Sequence, residues 1–369
     1  MTPDVSVDLG RVRLKNPVIC ASGEPTLTAE GMRAAIAAGA GAVIAKSTNE
    51  SQAARDQLEV ADYVLLDEEW RPITWTAEAG PGASLLCRSG LVPVPFDDWL
   101  ETLVAVDREA RAADCVLAAS LIVADLDATI AMARAIESAG LGWLEVNIGA
   151  PHADEAVPGA LRLERDANRV AEITRRVRDA VRLPLAIKLT GQSDNVTALA
   201  QAAWQAGADQ VVLCGRFLGF VPDLDTRAPV LGTFGAIGGG WALPLTLRWI
   251  AKTRQQLGRD VPLIGTNGAR SGRDIARFML AGARAVELCS LVMQAGYGGL
   301  SECVRELEEY LTSQGLGRAE DLVGLAADRA QSYQQAARSG AAARRWELVV
   351  GRHAPRPADE LSPPGSRAV

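Results

Sequence analysis

The chain has 369 residues, of which 48% are apolar, so it can bury a large core and is not a disordered sequence. Its formal net charge of −7 argues against a nucleic-acid partner. No run approaches the length of a membrane span, and the opening MTPDVSVDLG lacks the apolar stretch of a signal peptide.

Residues 5–14 alternate about Gly10-Arg11 and predict a small hairpin capping the bottom of a larger fold. PVICA (17–21) is a buried strand ending at Ser22-Gly23, 28–38 is helical, and 42–45 is a second strand that delivers Lys46-Ser47. A lysine at the end of a buried strand is costly unless its charge meets a partner or snorkels to the rim. The stretch 50–91, with Tyr63, Trp70, Trp75 and LLCRSGL, is too long for a simple βα loop and points to an insertion with its own structure. Helix 96–113, strand 116–122 and helix 126–139 follow. Strand 143–146 delivers Asn147 and the loop NIGAPHADEAVPG, and the next helix ends near 180. Strand 185–187 delivers Lys188, a helix spans 196–206, and strand 210–213 delivers Cys214, Gly215 and Arg216. The glycine-rich 217–241 reads as a loop, with a helix from about 244.

Residues 262–293 (PLIGTNGARSGRDIARFMLAGARAVELCSLVM) read strand, turn, helix 272–281, strand 285–288 and turn. Small residues at both strand ends let backbone N–H groups approach an anion, which suggests a phosphate site at Asn267, Gly268, Cys289 and Ser290; ordinary βα turns favour glycine too. A last helix covers 300–314. Eight strand–helix pairs predict an α/β fold, a TIM (β/α)8 barrel with an N-terminal β-hairpin and a long insertion after strand 2. Polar residues after nearly every strand (Lys46, Asn147, Lys188, Thr266) disfavour a doubly wound sheet. The barrel is expected to occupy residues 1–350, with 351–369 a flexible Pro-rich tail. The six cysteines are scattered with no C-x-x-C pair, so no metal site is expected and they read as reduced thiols of a cytoplasmic protein.

In order and spacing, KNPVICASG, AKST, LEVNIGAPH, LPLAIKLT, the GAIGGG stretch and IGTNGARSG followed by AGARAVELCS resemble the dihydroorotate dehydrogenase family and the pyrimidine-reducing domain of dihydropyrimidine dehydrogenase. The resemblance runs from about residue 5 to 324 and implies an FMN-binding (β/α)8 barrel. By position, it places Ala21 and Ser22 against the flavin, Lys46-Ser47 near its pyrimidine end, and Lys188 where a cation stabilises the reduced ring. Asn147 would touch both flavin and substrate. Gly238, Gly239, Asn267, Gly268, Cys289 and Ser290 would hold ribityl and phosphate groups. The family has two glycines where this chain has Asn267-Gly268, so the backbone at Asn267 is open to change.

The chain also departs from the family. Of the side-chain amides that grip a pyrimidine, Asn147 remains. The others read Cys87 (followed by Arg88), His152 and Gly215 (followed by Arg216). The acid/base cysteine is missing as well. Ala150 stands at one branch's position and Leu163 near the other's, and neither transfers a proton. Replacement candidates are His152, Cys87, Glu155 and Glu164, against bland roles as packing, wall or surface residues. Arg88 and Arg216 both suggest a substrate carboxylate or phosphate, unless each pairs with a local acid such as Asp223 or Glu155.

The resemblance and these departures predict an FMN-dependent oxidoreductase acting on CH–CH groups of a small cyclic or conjugated substrate, an anionic one if the arginines face it. Cys87, Arg88, Asn147, His152, Gly215 and Arg216 would bind it, with His152, Cys87 and Lys188 catalytic. Dihydroorotate or dihydropyrimidine oxidoreduction with a substituted acid/base, and a non-catalytic flavin-binding subunit, are the alternatives. A homodimer and a separate reductase are the expected partners, with no nucleic acid and no membrane.

Overall fold

The structure, a computed structural model, describes residues 2–75, 80, 82–151, 153, 156–332 and 335. The chain divides into a compact unit, Met1–Asp328, and a second, Arg329–Val369. The expected tail 351–369 lies outside the described residues.

Eight parallel strands close into a barrel in chain order: β1 (Val18–Cys20), β2 (Ala42–Ile44), β3 (Val116–Ile122), β4 (Leu144–Asn147), β5 (Leu185–Lys188), β6 (Gln210–Leu213), β7 (Leu263–Thr266) and β8 (Ala283–Leu288). Pairing of Val286 with Val18 and Leu288 with Cys20 joins the last strand to the first. The strands are short apolar runs, buried on both faces as a helix-covered parallel sheet requires. Amphipathic helices cover them. The helix Gly272–Ala281, for example, begins where Ser271 Oγ accepts from the Asp274 N–H and stops at Gly282 in the left-handed region. It buries Ile275, Phe278 and Met279 against the barrel.

The expected hairpin pairs Val7 with Leu14 and closes the N-terminal mouth, where Gln210 Nε2, at the start of β6, donates to the Leu9 carbonyl at 2.9 Å. The insertion after β2 forms strands Asp62–Leu66, Pro72–Ile73 and Ser84–Arg88. The stretch 217–241, expected as a loop, supplies two more strands, Phe217–Gly219 and Gly235–Gly239. The reason is non-local: Ser84–Arg88 offers a free edge, and Gly239 pairs with Ser84 while Ala236 pairs with Cys87. The result is a five-stranded antiparallel sheet assembled from two barrel loops.

Candidate active site

The strand ends and following loops converge on one cleft at the C-terminal mouth of the barrel. Ala21 and Ser22 after β1, Asn147 at the end of β4, Lys188 at the end of β5, and Gly215 and Arg216 after β6 line it. So do Asn267 and Gly268 after β7, and Cys289 and Ser290 after β8, with Gly238 from the antiparallel sheet. An adjoining cleft shares Ser22, Asn147 and Arg216 and adds Lys46, Ser47 and Ala150.

Asn267 adopts the left-handed conformation (φ 71°) and Gly268 follows at φ 107°. Asparagine tolerates this region, so the backbone turn that two glycines would make is kept. A Cβ on Gly268 would lie 2.5 Å from the Leu243 nitrogen, and one on Gly238 2.9 Å from Asn267 Oδ1. Bare backbone therefore lines this end of the cleft. Gly239 is buried beside Ser84.

Lys46 is 4% exposed, and its ammonium donates to Glu24 Oε1 at 2.7 Å. Tyr63 of the insertion donates its hydroxyl to the same oxygen at 2.8 Å. Burial alone would raise the Glu24 pKa, but Lys46 and then Arg216 outweigh it and hold it at about 2. Arg216 Nη1 donates to Cys87 Sγ. Burial raises the Cys87 thiol, with Arg216 opposing in part, so Cys87 stands as a protonated wall behind the guanidinium. Asp223 takes no part; it accepts from the Thr226 N–H in its own turn.

Lys188 contacts Glu287 directly and lies 3.7 Å from Glu145 Oε2. Burial lowers its basicity, but Glu145 and Glu287 more than compensate and keep it a cation. The lysine expected to balance a ligand's charge therefore already faces two carboxyl groups.

Arg88 is not brought together with Arg216. In the strand Ser84–Arg88, Leu85 lines the main cleft and Cys87 meets Arg216, while Arg88, one residue on, faces the opposite side. It lines a separate outer cleft with Val60 and Phe234. At Gly215 a Cβ would fit at ordinary van der Waals distance, 3.7 Å from the Gly149 and Leu189 carbonyl oxygens. Ala150 packs in an apolar cluster with Leu91, Ile122 and Leu161. Leu163 bridges Gly149, so both expected acid/base positions lie side by side without an ionisable group. Glu164 sits near Arg162, at 3.9 Å. His152 and Glu155 lie outside the described residues.

The sequence reading overlooked Glu24, Glu145 and Glu287. For Glu145 and Glu287 the signal was a carboxylate inside the buried strand runs LEVN and VELCS, which is costly without a partner; Glu24, in the loop after β1, carried no such signal.

Residues 71–311 match the family described as dihydroorotate dehydrogenase. The chain belongs to the dihydroorotate dehydrogenase family. It is 31% identical over 319 residues (85% of this chain and 92% of the relative) to the catalytic subunit of dihydroorotate dehydrogenase B (NAD(+)) of Methanopyrus kandleri. The corresponding subunit of Pyrococcus furiosus is 26% identical over 324 residues, covering 87% and 98% of the two chains. Dihydroorotate dehydrogenase A (fumarate) of Lactobacillus helveticus is 32% identical over 200 residues, 54% and 63% of the two. As a member of this family the protein is an FMN-dependent oxidoreductase of the class acting on CH–CH groups. The lining of the cleft fits FMN: bare backbone meets one end, and a buried ammonium and carboxyl pair form the floor. No helix among the described residues is long and apolar enough to cross a membrane.

Proposed function

We propose that this oxidoreductase acts on a small cyclic or conjugated substrate carrying one anionic group, and that it is specialised for a compound other than dihydroorotate. The observation that carries the reading is Arg216, held on the Cys87 thiol and lining both clefts together with Asn147. Lys46, Arg216 and Glu24 sum to one net positive charge, which suits a carboxylate or a comparable monoanion. A pyrimidine would instead need amide partners for its ring, and each polar edge left unpaired costs about 1–3 kcal/mol.

FMN, when bound, supplies the hydride chemistry. In this reading Ala21, Ser22, Lys46, Ser47 and Lys188 surround its ring, and Asn147 touches ring and substrate. Gly238, Gly239, Asn267, Gly268, Cys289 and Ser290 hold its ribityl and phosphate groups. Gly215 leaves room for the substrate, and His152 or Cys87 donates a proton. Arg88 belongs to the outer cleft and contacts only a substrate long enough to reach it. Residues 1–350 are the catalytic unit and 351–369 a dispensable tail of a cytoplasmic homodimer served by a soluble electron carrier or a separate reductase.

The names of the relatives favour one second reading, dihydroorotate oxidation with a substituted acid/base. Flavin absorbance titrated with a panel of small cyclic carboxylates, beside a dihydroorotate assay, separates the two. The expected result is binding of a carboxylate that Arg216→Met weakens at least about tenfold, or about 1.4 kcal/mol. Turnover of dihydroorotate at an ordinary enzymatic rate overturns the specialised reading.

A further inference from the structure

Barrel interiors are ordinarily filled with branched apolar side chains. Here Ser120 (β3), Glu145 (β4), Lys188 (β5) and Glu287 (β8) are buried, at 1%, 0%, 8% and 2% exposure. Lys188 and Glu287 come from strands that are not neighbours, so their contact crosses the lumen. Both carboxyls face the same ammonium, Glu287 in direct contact with Lys188 Nζ and Glu145 at 3.7 Å from it. Two ionised carboxylates against one ammonium would leave an uncompensated charge in a dry interior, so a retained proton is favoured. Glu145 Oε2 and Glu287 Oε1 are both buried without a hydrogen-bond partner, so each carboxyl has an oxygen on which the retained proton can sit.

Three hydroxyls lead from this pair to the cleft. Ser120 Oγ donates to Glu145 Oε1 at 3.1 Å. Ser120 and Ser47 hydroxyls are 2.8 Å apart, and Ser47 and Ser22 hydroxyls 3.0 Å apart. With the Ser120 proton committed to Glu145, Ser47 donates to Ser120 and Ser22 donates to Ser47. The Ser47 backbone N–H donates to Ser22 Oγ at 3.0 Å, which leaves Ser22 one lone pair for a proton donor in the cleft.

We propose that Glu145 and Glu287 are a proton store for the flavin reaction, filled and emptied through Ser120, Ser47 and Ser22, and that this relay exchanges protons with the acid–base group in the cleft, a role for which Ala150 supplies no side chain. When a donor in the cleft releases a proton, its bond to hydrogen breaks as an O–H bond forms at Ser22. Each hydroxyl passes its own proton inward, and the last O–H bond forms at Glu145 Oε1. The electron pair of the broken bond stays on the donor, so the transfer needs no oxidant. The cluster passes from neutral to one net positive charge at the floor of the cleft, where the negative charge of a reduced flavin would offset it. The other titratable groups facing the carboxyl pair are Lys188, Cys20 and Cys289, and burial raises both thiols. The relay serves any substrate of the site and does not depend on the substrate class proposed above.

Infrared difference spectra in H2O and D2O read the carboxylic-acid carbonyl stretch, and a pH-indicator dye reads proton uptake after flash reduction of the FMN-loaded protein. Wild type is expected to show a resting acid band near neutral pH that shifts in D2O and grows on reduction. Glu287→Gln is expected to remove the resting band. Ser120→Ala is expected to slow proton uptake about a hundredfold, and Ser120→Thr, which keeps the hydroxyl, to restore most of it. A wild-type protein with no resting acid band overturns the store, and unchanged uptake in Ser120→Ala overturns the relay. The resting band is also readable without FMN, so failure of the cofactor assignment and failure of the store give different results.

Discussion

Lys46 Nζ donates to Glu24 Oε1 at 2.7 Å, tying the end of β2 to the loop after β1 inside a nearly enclosed site. This bond makes Glu24 a permanent anion behind Lys46, which lines the adjoining cleft. The Glu24 pKa is held at about 2 against an ordinary 4.5, so it lies below the unfolded value. The resulting stability is fully present above the unfolded value and is lost as pH falls through the folded one. The shift corresponds to about 3 kcal/mol. Denaturation of wild type and Glu24→Gln, followed across this acid window, should give a difference that shrinks by about that amount as pH falls. A difference independent of pH would rule out the ion pair.

Lys188 is the cation between Glu145 and Glu287. Lys188→Met should destabilise the protein by about 3–5 kcal/mol, because it leaves two buried carboxyls without a counter-charge. It should also weaken FMN retention. Adding Glu287→Gln removes one of the two buried acids, so the double variant should recover at least about 1 kcal/mol over Lys188→Met. Additive losses in chemical denaturation would show that the two side chains do not interact.

Asn267 and Gly268 share the left-handed region, yet they should respond differently to substitution. Asn267→Gly should change stability by less than about 1 kcal/mol, since glycine takes the same conformation. Gly268→Ala meets both the positive φ and the Leu243 nitrogen at 2.5 Å. It should cost about 2 kcal/mol or more and raise the FMN dissociation constant at least tenfold. Equal FMN affinity in wild type and Gly268→Ala would remove this turn from the cofactor site.

Ala150→Cys alone should not create efficient dihydroorotate oxidation. A base works only when the ring is held within its reach. The new thiol would stand among Leu91, Ile122 and Leu161, and Cys87 and Gly215 offer a pyrimidine no amides. Wild type, Ala150→Cys and a variant that adds Cys87→Asn and Gly215→Asn should show little activity in the first two and some gain in the third. High activity in Ala150→Cys alone would return the site to pyrimidines.

The sequence by itself determined the eight βα units, the hairpin, the long insertion and the residues delivered at the strand ends. Those signals are local: a short apolar run, a polar strand end, a capped helix of period 3.6. Asn147, Lys188, Asn267 and Cys289 were legible at strand ends because each ends or directly follows such a run. Tertiary structure alone decided which of them meet and what faces them. Arg88 and Cys87 are neighbours in sequence, but strand pairing turned one outward and the other onto Arg216. Residues 235–239 became a strand because Ser84–Arg88 offered an edge, which no local pattern announces. Glu287 meets Lys188 from 99 residues away, since closing the barrel brings β5 and β8 across one lumen and the dry interior then forces their charges together.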